Sequence, residues 1–137
     1  MSIIPSIKVS FNLIGEDFDF DVVTTKIGVN PTRTKAKSDC RPQTIAAGFA
    51  HSSWSIDIKE ENCIAVSHLF RKMLETLNGK SEIIKNICDE YNIEAGFVVV
   101  IHMKDGDRPE MVLPREVVSF AGAINAEIGF DIYWYDE

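Results

Sequence analysis

Phe11-Asn-Leu-Ile-Gly-Glu-Asp-Phe-Asp-Phe-Asp21, running on to Ile27-Gly-Val-Asn-Pro-Thr-Arg33, reads as the end of a strand, a glycine turn, a capped helix and a stop. Upstream, Ile7, Val9, Phe11 and Leu13 alternate with Lys8, Ser10 and Asn12, the period-2 pattern of a strand with one wet face. Gly15 breaks it. Asp17 or Asp19 can then cap a helix of about two turns, with Asp21 in the favourable first turn. Phe18, Val22, Val23 and Ile27 mark its inner face. Gly28 suits the left-handed position after a helix, and Pro31 follows where no helix can continue.

The same periodicities extend through the chain. Ser53–Lys59 alternates, with Trp54, Ile56 and Ile58 on one side. Val66, Leu69, Phe70, Met73, Leu74 and Leu77 recur at helical spacing, and Asn78-Gly79 ends that helix. Ser81 can cap a third helix with Ile83, Ile84, Ile87, Cys88 and Tyr91 inward. The short link between these two helices predicts an antiparallel pair. Gly96–Met103 is an apolar run rather than an alternating one, which predicts an interior strand. Asp105-Gly106 and Pro109 mark a turn. Pro114 fits the first turn of a fourth helix with Val117, Val118, Ala121 and Ile124 inward. Ile128, Phe130, Ile132 and Trp134 then alternate with Gly129, Asp131, Tyr133 and Tyr135 in a last strand.

This order predicts an α+β fold: a ferredoxin-like βαββαβ antiparallel sheet with a helical hairpin inserted between strands 2 and 3. Strand order 4-1-3-2 follows, with the sets starting at Ile7, Trp54, Phe97 and Ile128 facing the helices. Asp21-Val-Val and Glu116-Val-Val each open a helix, a faint likeness between the halves. Residues 30–50 have no clear period and predict a long surface loop.

At 137 residues the chain is one domain, 1–137, long enough to bury a sizeable core. Its 45% hydrophobic and 26% charged content is that of an ordinary globular protein. A net charge of −7 argues against a general nucleic-acid or anionic-membrane binder, because both need a cationic footprint. No apolar run approaches the ~20 residues of a spanning helix, and the N-terminus lacks the pattern of a signal peptide. Cys40, Cys63 and Cys88 are odd in number and widely spaced, as in a reduced, cytoplasmic protein.

The acid run at 16–21 resembles a calcium loop only briefly. Counted from Asp17, the required Gly and Glu positions hold Val22 and Gly28, so the pattern fails and the carboxylates read as helix caps. His51, His68 and His102 lack metal spacing, and Cys40 has no local base. No metal and no cofactor is expected, and no catalytic residue is assigned.

Two groups of candidate binding residues remain. Arg33, Lys35, Lys37 and Arg41 form a basic cluster in an acidic chain and suit a phosphate, a carboxylate or an acidic partner. Strand parity puts Lys8, Ser10, Asn12, Ser55, Asp57, Lys59, Val98, Val100, His102, Asp131, Tyr133 and Tyr135 on the face away from the helices. Asp57, His102, Tyr133 and Tyr135 are the recognition candidates there, since tyrosines combine area with a polar tip, although the limited apolar exposure of monomers favours cover of this face by the inserted helix pair or a second subunit.

Phe11, Gly15-Glu-Asp-Phe-Asp19, Ile27-Gly-Val-Asn-Pro-Thr-Arg33 and Trp54-Ser55 together resemble a family of small, mainly bacterial proteins catalogued as a domain of unknown function. The later helix pair, apolar strand and aromatic last strand are similar too. The resemblance implies a single compact domain of bacterial type and carries over no catalytic residue.

Two functional readings follow. One is a protein-interaction module, of immunity or accessory type, whose acidic surface draws a basic partner. The other is a small-anion-binding or enzymatic domain in which the 30–50 loop closes over a site. There the basic cluster holds the anion and His102 or a tyrosine acts as acid or base. A homodimer through the open sheet face is compatible with either.

Overall fold

The computed structural model describes residues 5–104 and 106–136. Five strands and five α-helices follow in the order β1 (Ser6–Gly15), α1 (Phe20–Ile27), β2 (Arg33–Lys35), α2 (Pro42–Ala46), β3 (Ser52–Glu61), α3 (Val66–Thr76), α4 (Ser81–Tyr91), β4 (Glu94–Lys104), α5 (Arg115–Ala123) and β5 (Glu127–Tyr135). The opening stretch folds as its residues dictate. Asp19 caps α1, its carboxylate accepting from the Asp21 amide at 2.9 Å and the Val22 amide at 3.3 Å. Gly28 (φ 78°) closes the helix by donating to the Thr24 carbonyl at 2.8 Å.

The sheet is mixed, in the order β2-β3-β1-β4-β5. β1 is antiparallel to both β3 and β4, and β4 is parallel to β5. This corrects the ferredoxin-like expectation. That plan sets the last long strand beside the first and gives an all-antiparallel sheet; here β3 and β4 flank β1, and β5 lies outside β4. The physical reason lies in the connections. β4 reaches β5 through a single helix, the βαβ unit that delivers a parallel neighbour. β3 and β4 are both antiparallel to β1, so α3 and α4 carry the chain across it between two like-directed strands.

The two helices joined by the short link do not pair chiefly with each other. α5 packs against both, α4 also meets α1, and α3 lies on β1 and β3. Ser81 does not cap α4 either; it is the helix's first residue, and Lys80 stands at the cap without a side-chain bond. Pro114 sits one position earlier than expected, at the cap of α5. The supposed 30–50 loop is structured: it contains β2, a 3-10 turn at Lys37–Asp39 and α2. Of the expected Asp105-Gly106 turn, Asp105 lies outside the described residues, as does most of the N-terminal segment read for a signal.

Side-chain parity follows the alternation. Ile7, Val9, Phe11 and Leu13 of β1, Trp54 and Ile56 of β3, and Phe97, Val99, Ile101 and Met103 of β4 are buried under the helices. Phe11 and Phe97, paired across the ladder, meet with ring centroids 5.3 Å apart, and Phe70 of α3 packs on Phe97 at 5.7 Å. Burying each such ring contributes roughly 2–3 kcal/mol. Trp54 satisfies its indole N–H by donating to the Thr24 hydroxyl at 2.9 Å, which locks α1 onto β3.

Candidate functional site

With α1, α3, α4 and α5 packed on one side of the central strands, the opposite face of the sheet divides into two halves. The β1–β3 half is polar and closed upon itself. Ser10 donates to Asp57 at 2.5 Å and Ser55 to Asn12 at 2.7 Å. Pairing of Arg33 with Ser55 puts the Arg33 side chain on this face. Its Nε donates to Asp57 Oδ2 at 2.7 Å and its Nη2 to Oδ1 at 3.3 Å. Burial alone would raise the Asp57 pKa, but the bonds from Arg33 and Ser10 outweigh it and hold the carboxyl below its ordinary value. Thr32 ties the same edge down, accepting from the Asp57 amide at 2.9 Å and donating its own amide to the Ser55 carbonyl at 2.7 Å.

The basic cluster therefore does not converge. Arg33 is committed to Asp57, and Lys37 donates to Glu16, whose carboxyl is held below its ordinary value by that contact. Lys35 is exposed on β2, opposite Ser53, and Arg41 precedes α2 at the surface. A hollow of about 450 Å³ lies where the opening acids meet this segment, lined by Glu16, Asp17, Ala36, Lys37, Ser38 and Ile45. Another, of about 620 Å³, runs between α3 and α5 and is lined by Arg71, Leu74, Glu75, Asn78 and Glu116. Among the described residues no group of three His, Cys, Asp or Glu side chains is placed to hold a metal ion.

The β4–β5 half is apolar and aromatic. Half-buried Val98 and Val100 lead to His102, whose ring stacks on Tyr133 with centroids 4.8 Å apart and 9° between planes. Tyr135 stacks on the same imidazole at 5.7 Å, and its hydroxyl shares a 2.7 Å hydrogen bond with His102 Nδ1. Tyr133 donates to Asp131 at 3.0 Å, and the carboxylate beside it raises its pKa. The structure thus brings His102, Tyr133 and Tyr135 together and sets Asp57 apart from them, in the polar half.

Sequence reasoning missed the other side of β5. Ile128, Phe130, Ile132 and Trp134 do share the helix-side face, in register with Phe97, Val99, Ile101 and Met103. They were expected in the core, yet Phe130, Ile132 and Trp134 are 43%, 45% and 46% exposed. The helix layer stops short of β5 and leaves these side chains uncovered. The signal was present as aromatic residues on both parities of a terminal strand.

The family model described as Domain of unknown function (DUF4279) matches residues 5–135, and the chain belongs to that family. No curated protein and no solved structure matches it. No helix among the described residues is long and apolar enough to cross a membrane.

Proposed function

We propose that this is a protein-interaction domain whose contact surface is β5 with the aromatic half of the open sheet face. One observation carries the reading: Phe130, Ile132, Tyr133, Trp134 and Tyr135 are all exposed on a single edge strand. Apolar surface this concentrated marks contact sites, because water does not accommodate it without cost. Tyr and Trp are also the side chains that dominate contact energies. An accessory or immunity role in the cytoplasm fits within this reading, the three free cysteines suiting a reducing compartment. The anion-binding alternative is less supported, since the two cations best placed for it, Arg33 and Lys37, already hold carboxylates.

A photo-crosslinking amino acid at Tyr133, incorporated in the native host, tests the surface. The expected result is a discrete covalent adduct that disappears when Ile132→Lys is added. Absence of any adduct, with the same probe in the same protein at normal abundance, would end the reading.

A further inference from the structure

What can seal β5 is limited by its chemistry. An edge strand presents a row of unpaired backbone N–H and C=O groups, and another strand is their natural complement. β5 is nine residues long and continuous in register with β4 from Glu127 to Tyr135. It lacks the usual protections of an edge: it holds no proline, no lysine and no bulge, and its only charges are Glu127 and Asp131.

We propose that β5 pairs antiparallel with β5 of a second copy about a two-fold axis at Ile132, joining two five-stranded sheets into one of ten strands. This names the partner of the contact surface assigned above and rests on that assignment. The residues single out the register. With Ile132 opposite itself, Phe130 meets Trp134 of the second copy and Trp134 meets its Phe130, so the centre of the helix-side face carries an apolar ladder of three pairs, with Ile128 opposite Asp136 at either end. On the other face Tyr135 lies opposite Gly129, where a ring can cover bare backbone; the space a Gly129 side chain would occupy is empty to 4 Å. Asp131 lies opposite Tyr133, the residue type whose hydroxyl it already accepts within its own chain.

Neighbouring registers are worse. An axis at Asp131 sets two carboxylates face to face. An axis at Tyr133 places the exposed Phe130 opposite Asp136, where the Ile132 axis puts only the half-buried Ile128 at the strand's end, and one at Phe130 leaves Trp134 opposite Ala126, beyond the strand. A foreign peptide strand would satisfy the edge but leave its own outer edge bare. The second copy instead brings its helix layer on the same side, because the axis is perpendicular to the sheet. The exposed Phe130, Ile132 and Trp134 then fill the furrow between the two helix layers. The contact is isologous and closes after two chains.

Sedimentation of the purified full chain, together with a cysteine scan, tests this. The expected species has twice the 15.4 kDa chain mass, and Ile132→Lys returns it to monomer with an unchanged far-UV spectrum. In a Cys40→Ser, Cys88→Ser background, which keeps only the buried Cys63, one cysteine at a time is introduced at 130, 131, 132 or 133 and oxidised mildly. Ile132→Cys should give the most covalent dimer, because directly opposed Cα atoms lie about 4.5–5.5 Å apart, within disulfide span. A monomer at every concentration, or a dimer that crosslinks best at another position, overturns the proposal. If the purified chain is monomeric while the Tyr133 probe captures a different protein in the cell, the second copy is excluded and the contact surface stands. If neither is found, both fall.

Discussion

Arg33 of β2 grips Asp57 of β3 through two hydrogen bonds, at 2.7 and 3.3 Å, and so fastens the short outer strand to the sheet. Only three residues of β2 pair with β3, so this side-chain contact carries a large share of the attachment. Arg33 is half-exposed, which limits its worth through solvent screening. Asp57→Asn should cost about 1 kcal/mol at neutral pH, measured as a shift in urea midpoint. The folded pKa of Asp57 is lowered, so its contribution is complete above the unfolded value near 4 and is lost as pH falls through the folded value. The difference between wild type and Asp57→Asn should therefore shrink in acid. A gap that stays constant down to pH 2 would show that the ion pair is not its source.

Glu110 caps α3 from a distant loop. Ala65, at the cap position, has no side chain to offer. The Glu110 carboxylate accepts from the Ser67 hydroxyl at 2.7 Å, the Ser67 amide at 3.3 Å and the Val112 amide at 3.0 Å, while its carbonyl accepts from Val66 at 2.8 Å. Glu110→Ala should cost about 1 kcal/mol in thermal or urea unfolding, and Glu110→Gln less, since an amide oxygen still accepts. The Ser67 hydroxyl bond first, then the Val112 amide, keeps this carboxyl below its ordinary value, so the effect also fades in acid.

Thr24→Val keeps the shape of the side chain and removes the acceptor of the Trp54 indole N–H. Trp54 is fully buried, so the donor is left without a partner. A loss of about 2 kcal/mol in urea unfolding is expected. A change near zero would mean that water reaches the indole.

Cys88 should be a poor nucleophile. Burial, and secondarily Asp89, pushes its thiol up to about 11. At neutral pH its alkylation should be about a hundredfold slower than that of an ordinary thiol, with a rate that climbs through the alkaline range. Mass spectrometry after timed iodoacetamide treatment measures this, and rapid labelling at pH 7 would contradict it.

Local chemistry was legible in the sequence, and neighbour choice was not. The Asp19 cap, the Gly28 stop and the parity of Trp54, Phe97 and Ile128 follow from side-chain preferences within a few residues. Which strand lies beside β1 depends on how α3, α4 and α5 share one face of the sheet, and no short window contains that. The basic residues looked like a cluster because charge spacing says nothing of partners. Asp57 and Glu16, each far away in the chain, divide them. The exposure of Phe130 and Trp134 was hidden for a related reason: alternation tells which face a residue takes, not how far the covering layer extends.

The central position of β1 has a consequence for synthesis. Phe11 pairs with Ile56 on one side and with Phe97 on the other, so the first strand made is hydrogen-bonded by strands from the middle and the later part of the chain. Ile7, Val9, Phe11 and Leu13 leave the ribosome long before either ladder can form. The sheet cannot close until Lys104 has emerged, and pairings so distant in sequence make for slow folding. During that interval the nascent chain carries an unpaired apolar strand, the kind of segment that chaperones bind and that aggregates when synthesis stalls. A chain cut after α4 should lack one of the two walls its own first strand requires.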